Sequence, residues 1–334
     1  MFATVILAGI LGLGKGGLEL AADVRDSQSG RPVEDAAVEI VLPKQPPGGV
    51  IPMALPNFVK HTKKDGTCRF SGYPYERQLH FKVNKDGYYP SKGHIQLLGL
   101  DENQMVIPEV SVITVALQRV ERPIPLFIWD EPYRRPNCMF GSGTNVLEYD
   151  LFKADYLPPA GKGEVADITF TRQPRVNCGA YTNINGRSLY RLKDAVTVKF
   201  NNEHDGVMVV PPVRYSALWV RTAPEQGYQR EFECSMTKEL HYNFSWEENP
   251  CLCFRVRSEL DDEGKVVKAF YGKIYGGFGF TYDPDWTDNT LPHAKCMAFT
   301  YYLNLNPMDR NLEYKDVHGG NLNKRARVSN RYHP

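Results

Sequence analysis

The chain lacks a long hydrophobic run, an excess of charge of either sign and the paired cysteine and histidine spacings of common zinc sites. The apolar stretch Phe2–Leu13 has about half the length that a bilayer-spanning helix needs. Forty Lys and Arg against 39 Asp and Glu leave a formal net charge of +1. This balance excludes a chain-wide electrostatic surface for nucleic acid. We therefore expect neither a membrane span nor a nucleic-acid partner.

The beginning of the chain has the hydrophobic part of an export signal but not its flanks. No Lys or Arg precedes the apolar stretch, and no clear cleavage site of small residues follows it. We interpret residues 1–17 as a shortened export signal, and the alternative is a buried strand over Thr4–Leu11. Export predicts an extracellular, periplasmic or cell-surface protein.

The cysteines do not form a recognisable disulfide or metal-binding framework. They are seven, an odd number, and Cys-x-x-Cys does not occur among them. Cys251 and Cys253 stand two apart in an expected strand, where a mutual disulfide would strain the backbone. We therefore interpret the thiols mainly as packing residues.

Motifs of common enzymes are also missing. None of the eight histidines has Glu three residues later, and His-Glu-x-x-His is absent, so a zinc peptidase is not expected. Gly9–Lys15 matches the spacing of a phosphate loop, but Gly16 stands where a hydroxyl should hold magnesium. These absences favour a non-catalytic protein.

What the sequence does contain is the composition of short strands joined by turns: 28 Gly, 24 Pro and 12% aromatic residues. Leu18–Val24, a turn at Asp26–Gly30 and Ala37–Leu42 predict a hairpin near the start. Later in the chain, Leu252, Phe254 and Val256 share one face of a predicted strand. Arg255, Arg257 and Glu259 are then expected on the opposite, polar face.

Several turn motifs occur in an order that resembles the carboxypeptidase regulatory-like domain, over about Leu18 to Val120. They are Val24-x-Asp26, Ser29-Gly30-x-Pro32-Val33, Asp65-Gly66 and Gly87-Tyr88. The resemblance implies a small transthyretin-like, or prealbumin-like, β-sandwich, which is an accessory module common in secreted and envelope proteins. The second half is only faintly similar to uncharacterised bacterial envelope proteins, and that similarity implies no activity.

We therefore predict an all-β protein in which a prealbumin-like β-sandwich at 18–120 is followed by a larger antiparallel β-sandwich at 164–320. Proline and glycine are frequent over Glu121–Gly163, which predicts a linker there. Residues 321–334 form a basic tail, which we interpret as a solvated terminus.

Two groups of residues in the second half are candidate binding sites. The rings of Trp219, Trp246, Trp286 and Tyr282 offer flat faces on which a sugar can stack. The turn after Tyr282 gathers Asp283, Asp285 and Asp288, whose carboxylate oxygens suit calcium. It departs from the calcium loop of an EF-hand, and the alternative is an ordinary turn, because Asp stabilises turns through its own backbone.

These observations together predict a non-catalytic, secreted or envelope-associated binding or structural module. The expected partner is a polysaccharide or another envelope protein, and calcium is the one cofactor that the sequence suggests. The alternative is a hydrolase acting on polysaccharide or peptide, with its site in the second domain in a cleft around Trp286 and the Asp283 turn.

Overall fold

All of the regular secondary structure that the computed structural model of the chain describes is β-strand, and no helix occurs in the described residues. The prediction of an all-β fold is therefore confirmed. The described residues are 17–41, 57–72, 78–101, 106–108, 110–131, 140, 145–174, 176–182, 188–210, 220–239, 251–281, 296–314 and 321–323.

The chain divides into two compact units. The first consists mainly of Met1–Arg122, and the second of Pro123–Pro212 and Val220–His333. Each unit has its own hydrophobic cluster of buried residues.

The first unit contains two sheets. Its strands are β1 (Leu18–Asp26), β2 (Ala37–Val41), β3 (Asn57–His61), β4 (Thr67–Gly72), β5 (Gln78–Asn84), β6 (Ser91–Leu100), β7 (Val106–Pro108) and β8 (Val112–Leu117). A three-stranded sheet, the β1 sheet, has the order β4-β1-β8, and a five-stranded sheet, the β5 sheet, has the order β3-β2-β5-β6-β7.

The core of the first unit lies between these sheets because buried side chains alternate with exposed ones along the strands. Leu20, Ala22 and Val24 of β1 are buried, as are Phe81 and Val83 of β5, and all belong to one cluster. Period-two alternation of this kind turns one face of each strand inward. The unit is thus a two-layer β-sandwich.

The hairpin expected from β1 and β2 does not form, because the two strands belong to different sheets. β1 pairs antiparallel with β4 on one side and parallel with β8 on the other. Both edges of β1 are therefore occupied. The turn after Asp26 carries the chain into the β5 sheet, where β2 pairs with β3 and β5.

The second unit also contains two sheets. Its strands are β9 (Phe127–Glu131), β10 (Val146–Asp150), β11 (Asp155–Tyr156), β12 (Ile168–Arg172), β13 (Val176–Thr182), β14 (Ser188–Phe200), β15 (Gly206–Val210), β16 (Glu231–Glu239), β17 (Cys251–Leu260), β18 (Val266–Thr281) and β19 (Cys296–Leu303). The β14 sheet has the order β11-β10-β12-β14-β13, with β16 also paired to β14, and the β17 sheet has the order β15-β17-β18-β19-β9.

Aromatic rings fill the core of the second unit. Tyr149 and Phe170 of the β14 sheet belong to the same buried cluster as Phe299 and Tyr301 of the β17 sheet. The ring of Tyr149 meets that of Phe299 edge to face at a centroid distance of 5.2 Å. This geometry is one that aromatic pairs prefer, and it joins the two sheets into a second sandwich.

The β17 sheet is buried on both faces. Phe254 belongs to the aromatic core, whereas its neighbour Cys253 belongs to a second cluster on the opposite face with Ala223 and Leu312. Adjacent residues of a strand point to opposite faces. Irregular segments around Ala223 and Leu312 therefore cover the outer face of this sheet.

The segment Glu121–Gly163, for which a linker was expected, holds the strands β9, β10 and β11. Pro123 and Pro125 precede β9, and Pro158 and Pro159 follow β11. Proline lacks a donor for a β-ladder, but it is tolerated outside the strands that it flanks. These four prolines thus lie outside the three strands that this segment contains.

Candidate functional site

The residues that we predicted from the sequence to bind a ligand or a metal lie outside the described residues. They are Trp219, Trp246, Trp286, Tyr282, Asp283, Asp285 and Asp288.

In the described part of the second unit, Arg257, Asp150, Asp167 and Asp205 form a group of charged side chains that we call the Arg257 cluster. Asp150 ends β10 and Asp167 precedes β12, so both belong to the β14 sheet. Asp205 precedes β15 and Arg257 lies in β17, so these two belong to the β17 sheet. All three carboxylates are buried. The cluster therefore connects the two layers of the sandwich.

A β-bulge brings Arg257 into this cluster. The pairing of β17 with β18 shifts register after Val256, and Arg257 has a φ of +54°, in the left-handed region that favours glycine. The bulge interrupts the side-chain alternation that placed Arg257 on the polar face. The prediction of that orientation was wrong, because alternation assumes an unbroken strand.

Asp205 satisfies the backbone donors of the bulge. Its Oδ2 accepts a hydrogen bond from the Arg257 amide at 2.6 Å, and its Oδ1 accepts one from the Ser258 amide at 2.9 Å. Buried amides that leave a β-ladder need such partners. The carboxylate therefore stabilises a backbone conformation that is unfavourable for arginine.

The Arg257 guanidinium donates to both aspartates of the opposite sheet. Its Nε and Nη2 bind the two oxygens of Asp167 at 2.8 and 3.0 Å, and Nη2 also donates to Oδ1 of Asp150 at 3.0 Å. The guanidinium lies 3.9 Å from the centroid of the Phe152 ring. A bidentate pair stacked on an aromatic ring is a geometry that arginine, and not lysine, provides.

Asp150 also organises the chain that surrounds it. Its Oδ1 accepts hydrogen bonds from the amides of Phe152 and Lys153, and its Oδ2 accepts them from the amides of Glu164 and Val165. One carboxylate thus stabilises the turn after β10 and the segment before β12. The amides of these two parts of the chain in turn hold both of its oxygens in place.

The surroundings shift the pKa values of the three carboxyls in different directions. Burial raises the pKa of Asp167, although Arg257 partly offsets this effect. Burial likewise raises the pKa of Asp205. For Asp150 burial also acts upward, but the amides of Glu164, Lys153 and Val165, together with Arg257, outweigh it and lower the pKa.

Raised carboxyl pKa values are typical of catalytic acids, but the hydrogen bonds here favour another role. Both oxygens of each aspartate already accept a hydrogen bond from the chain. A general acid or base must reach a substrate proton. The hydrogen bonds of the cluster instead connect the two sheets of the sandwich.

Lys273 is a second buried charge in the same unit, on the outer face of the β17 sheet. Its Nζ donates to the carbonyls of Val220 at 3.0 Å and Leu312 at 2.5 Å, and it lies 5.4 Å from the centroid of the Tyr302 ring. Burial lowers the pKa of Lys273 to about 8. The ammonium thereby fastens both covering segments to the sheet.

The first unit has a comparable cluster around Asp26, whose side chain joins two of the turn motifs found in the sequence. Oδ1 accepts hydrogen bonds from the amides of Gln28 and Ser29, and Oδ2 accepts them from the Tyr88 hydroxyl at 3.0 Å and Arg119 Nε at 2.5 Å. Burial acts to raise the pKa of Asp26, but these hydrogen bonds outweigh it and lower the pKa.

The described residues contain no group of three or more His, Cys, Asp or Glu side chains placed to hold a metal ion together. The cysteines whose side chains are described, Cys68, Cys178, Cys234, Cys251 and Cys253, are free thiols. No helix long and apolar enough to cross a bilayer occurs in the described parts of the chain.

Comparison with known proteins gives only weak structural similarities. The chain matches no protein-family model, and no similar sequence is found among curated proteins. A dioxygenase, Tetur07g02040, is 13% identical with a TM-score of 0.23 over 32% of this chain and 82% of that chain. A streptococcal ancillary pilin is 14% identical with a TM-score of 0.21 over 52% of this chain and 58% of that chain.

A third structure is a putative membrane-associated protein from Bacteroides fragilis, 11% identical with a TM-score of 0.18 over 87% of this chain and 98% of that chain. All three TM-scores are too low to support a functional argument. The comparisons therefore do not confirm the resemblance of Leu18–Val120 to the carboxypeptidase regulatory-like domain, which stays a prediction.

Proposed function

We propose that the protein is a non-catalytic binding or structural module of the cell surface, the periplasm or the extracellular space. One observation supports this proposal most: the buried charges of the second unit are used to connect its layers. Arg257 joins the two sheets through Asp150 and Asp167, and Lys273 fastens the covering segments. Groups engaged in this way serve the scaffold.

The proposed ligand is a polysaccharide, and another envelope protein is the alternative partner. Trp219, Trp246, Trp286 and Tyr282 are the residues proposed to stack against sugar rings. Sugar rings can stack on flat aromatic side chains at an open surface without the help of reactive groups. A β-sandwich can carry such side chains on its surface.

A glycan array and a polysaccharide pull-down test this proposal. We expect the wild-type chain to retain at least one polysaccharide, and Trp286→Ala to weaken that retention. Leu98→Ala is the matched control, because Leu98 is an exposed apolar residue of the first unit, with 68% of its surface accessible. Wild-type protein that binds no glycan and no polysaccharide contradicts the carbohydrate proposal.

Calcium is proposed as the ion of the Asp283, Asp285 and Asp288 turn. Calcium added to metal-stripped protein is expected to raise the melting temperature, because a ligand that binds only the folded state stabilises it. The shift should be absent in Asp285→Asn. A wild-type melting temperature that calcium does not change contradicts this part of the proposal.

The proposed location is tested by fractionation of the cells that produce the protein. We expect to recover the chain with periplasmic, surface or secreted markers. Recovery with cytosolic markers alone contradicts it.

A further inference from the structure

Two histidines face each other on the exposed surface of the β5 sheet in the first unit. His80 of β5 and His94 of β6 are directly opposite in the antiparallel pairing, and both are exposed. Their ring centroids are 6.0 Å apart, with the ring planes inclined at 57°. Neither residue has a part in the clusters around Asp26 or Arg257.

The spacing suits a metal ion held between the two rings. Zinc binds an imidazole nitrogen at about 2.0–2.1 Å in a tetrahedral arrangement, so two imidazoles on one ion have centroids roughly 5 Å apart. The observed separation of 6.0 Å is larger than this by about 1 Å. A rotation of the two side chains that brings the rings closer by this amount would direct one nitrogen of each ring at a shared ion.

The backbone that carries the two histidines is held from the inner side of the sheet. Phe81 and Ile95, which follow them in the two strands, are buried in the core. The Phe81 ring packs against Gly93, where an added Cβ would lie 2.7 Å from the ring. This contact between a cross-strand pair stabilises the register of β5 and β6. The register in turn keeps His80 and His94 directly opposite each other.

The chemistry of the two side chains indicates which ions are suitable. Lys82 and Lys92 form the next cross-strand pair on the same face, so the pair next to the histidines supplies no carboxylate oxygen of the kind that hard cations need. Imidazole nitrogens favour zinc, nickel and copper. Water would occupy the remaining coordination positions, because the described residues hold no third side chain of this kind beside the pair.

We propose that His80 and His94 form a two-histidine site for a divalent transition-metal ion of the zinc, nickel and copper class. The site goes beyond the proposed function, since it lies in the first unit and uses none of the residues proposed for sugar or calcium. Its failure and the failure of the polysaccharide proposal are therefore separate results.

Calorimetric titration with Ni²⁺ tests the site on the metal-stripped full chain, without an affinity tag. Cys178→Ser serves as the background, because Cys178 is an exposed free thiol and thiolates are ligands for such ions. We expect one Ni²⁺ to bind at the pair. His80→Ala and His94→Ala should each lower the affinity for Ni²⁺ at least about tenfold, because even the loss of a group that only supports a metal ligand has an effect of this size.

His61→Ala is the matched control. His61 is an exposed histidine of the same sheet, and its Nδ1 lies 2.8 Å from Asp35 Oδ1. This variant is expected to bind Ni²⁺ like the background protein. The effects of His80→Ala and His94→Ala should also be non-additive in the double variant, because both remove one shared ion.

Several results overturn the proposal: no binding by the background protein, unchanged affinity in His80→Ala and His94→Ala, or losses that simply add. His94→Gln, together with metal-free thermal unfolding of each variant, separates a lost ligand from a lost fold. A surface substitution of this kind should change stability by less than about 0.5 kcal/mol.

Discussion

At the scale of single residues, Arg257 is the group on which the buried charge of the second unit depends. It neutralises Asp150 and Asp167 from the other sheet, and its own backbone is supported by Asp205. Removing one partner of a buried ion pair costs more than the pair contributes, because the other charge is left without compensation.

Arg257→Met is therefore expected to lower the free energy of unfolding of the second unit by about 3–5 kcal/mol. Denaturant unfolding of the full chain measures this loss. Arg255→Met is the matched control: Arg255 lies in the same strand, donates to the carbonyl of His204 and stacks on Tyr228. Of the cluster's carboxylates it interacts electrostatically with Asp205, whereas Asp150 and Asp167 form their ion pairs with Arg257. Equal losses in the two variants contradict the role assigned to Arg257.

A second comparison isolates the backbone at the bulge. Arg257→Ala and Arg257→Gly both remove the guanidinium, but only glycine adopts the positive φ of this position without a steric cost. We expect the glycine variant to be more stable than the alanine variant by about 1 kcal/mol. The reverse order would show that the bulge is not maintained after substitution.

Lys273 makes the stability of the second unit depend on pH. Its pKa falls from an ordinary 10.5 to about 8 in the folded state because of burial. Between these values the unfolded chain binds more protons than the folded chain, so stability rises with pH. Burial of the ammonium lowers the free energy of unfolding by about 3 kcal/mol. This loss is fully present below about pH 8.

Unfolding of wild type and Lys273→Met at pH 7 and pH 10 tests this dependence. The wild type is expected to gain stability relative to the variant as pH rises, because the methionine at position 273 does not titrate whereas the lysine does. Parallel stabilities at both pH values would mean that the Lys273 pKa is not lowered.

At the scale of elements, period-two alternation predicted many strands but not all of their partners. β1, β17 and β18 follow from their apolar alternation. The parallel pairing of β1 with β8 joins residues about ninety positions apart, as in Ala21 and Val112. Alternation identifies a buried face, but it contains no information about which distant strand occupies an edge.

The Arg257 cluster was missed for a related reason. The bulge reverses the expected direction of Arg257, and Asp205 lies 52 positions earlier in the chain. The only signal in the sequence was the position of Asp150 and Asp167 at strand ends. Asp is common there because it stabilises turns, so this signal does not separate a charged cluster from an ordinary turn.

The turn between β1 and β2 depends on the ionised carboxylate of Asp26, which accepts hydrogen bonds from two amides of this turn. Because the folded-state pKa is lowered, the ionised carboxylate contributes stability above about pH 4, and this contribution is lost as pH falls through the folded pKa. Asp26→Asn is expected to destabilise the first unit by about 2 kcal/mol, since hydrogen bonds to a charged group are lost.

Thermal unfolding at pH 7 measures the effect of Asp26→Asn. Asp23→Asn is its control, because Asp23 forms a partly exposed pair with Arg25 at 2.7 Å, and such pairs contribute about 1 kcal/mol or less. A larger loss for Asp23→Asn than for Asp26→Asn contradicts the account of this turn.

At the scale of the whole molecule, each of the two units has its own buried cluster. A unit with its own core is expected to fold without the other. Met1–Arg122 produced alone should therefore show a β-sheet circular dichroism spectrum and a cooperative thermal transition. A fragment without such a transition would show that its core depends on residues of the second unit.

We propose that this β-framework binds a polysaccharide and performs no chemistry on it. Incubation with polysaccharides, with the bound fraction and the new reducing ends measured in the same sample, tests this claim most directly. We predict that a polysaccharide is retained and that no new reducing ends appear. New reducing ends that are lost in Asp167→Asn would contradict the claim, because they would make the Arg257 cluster a catalytic site.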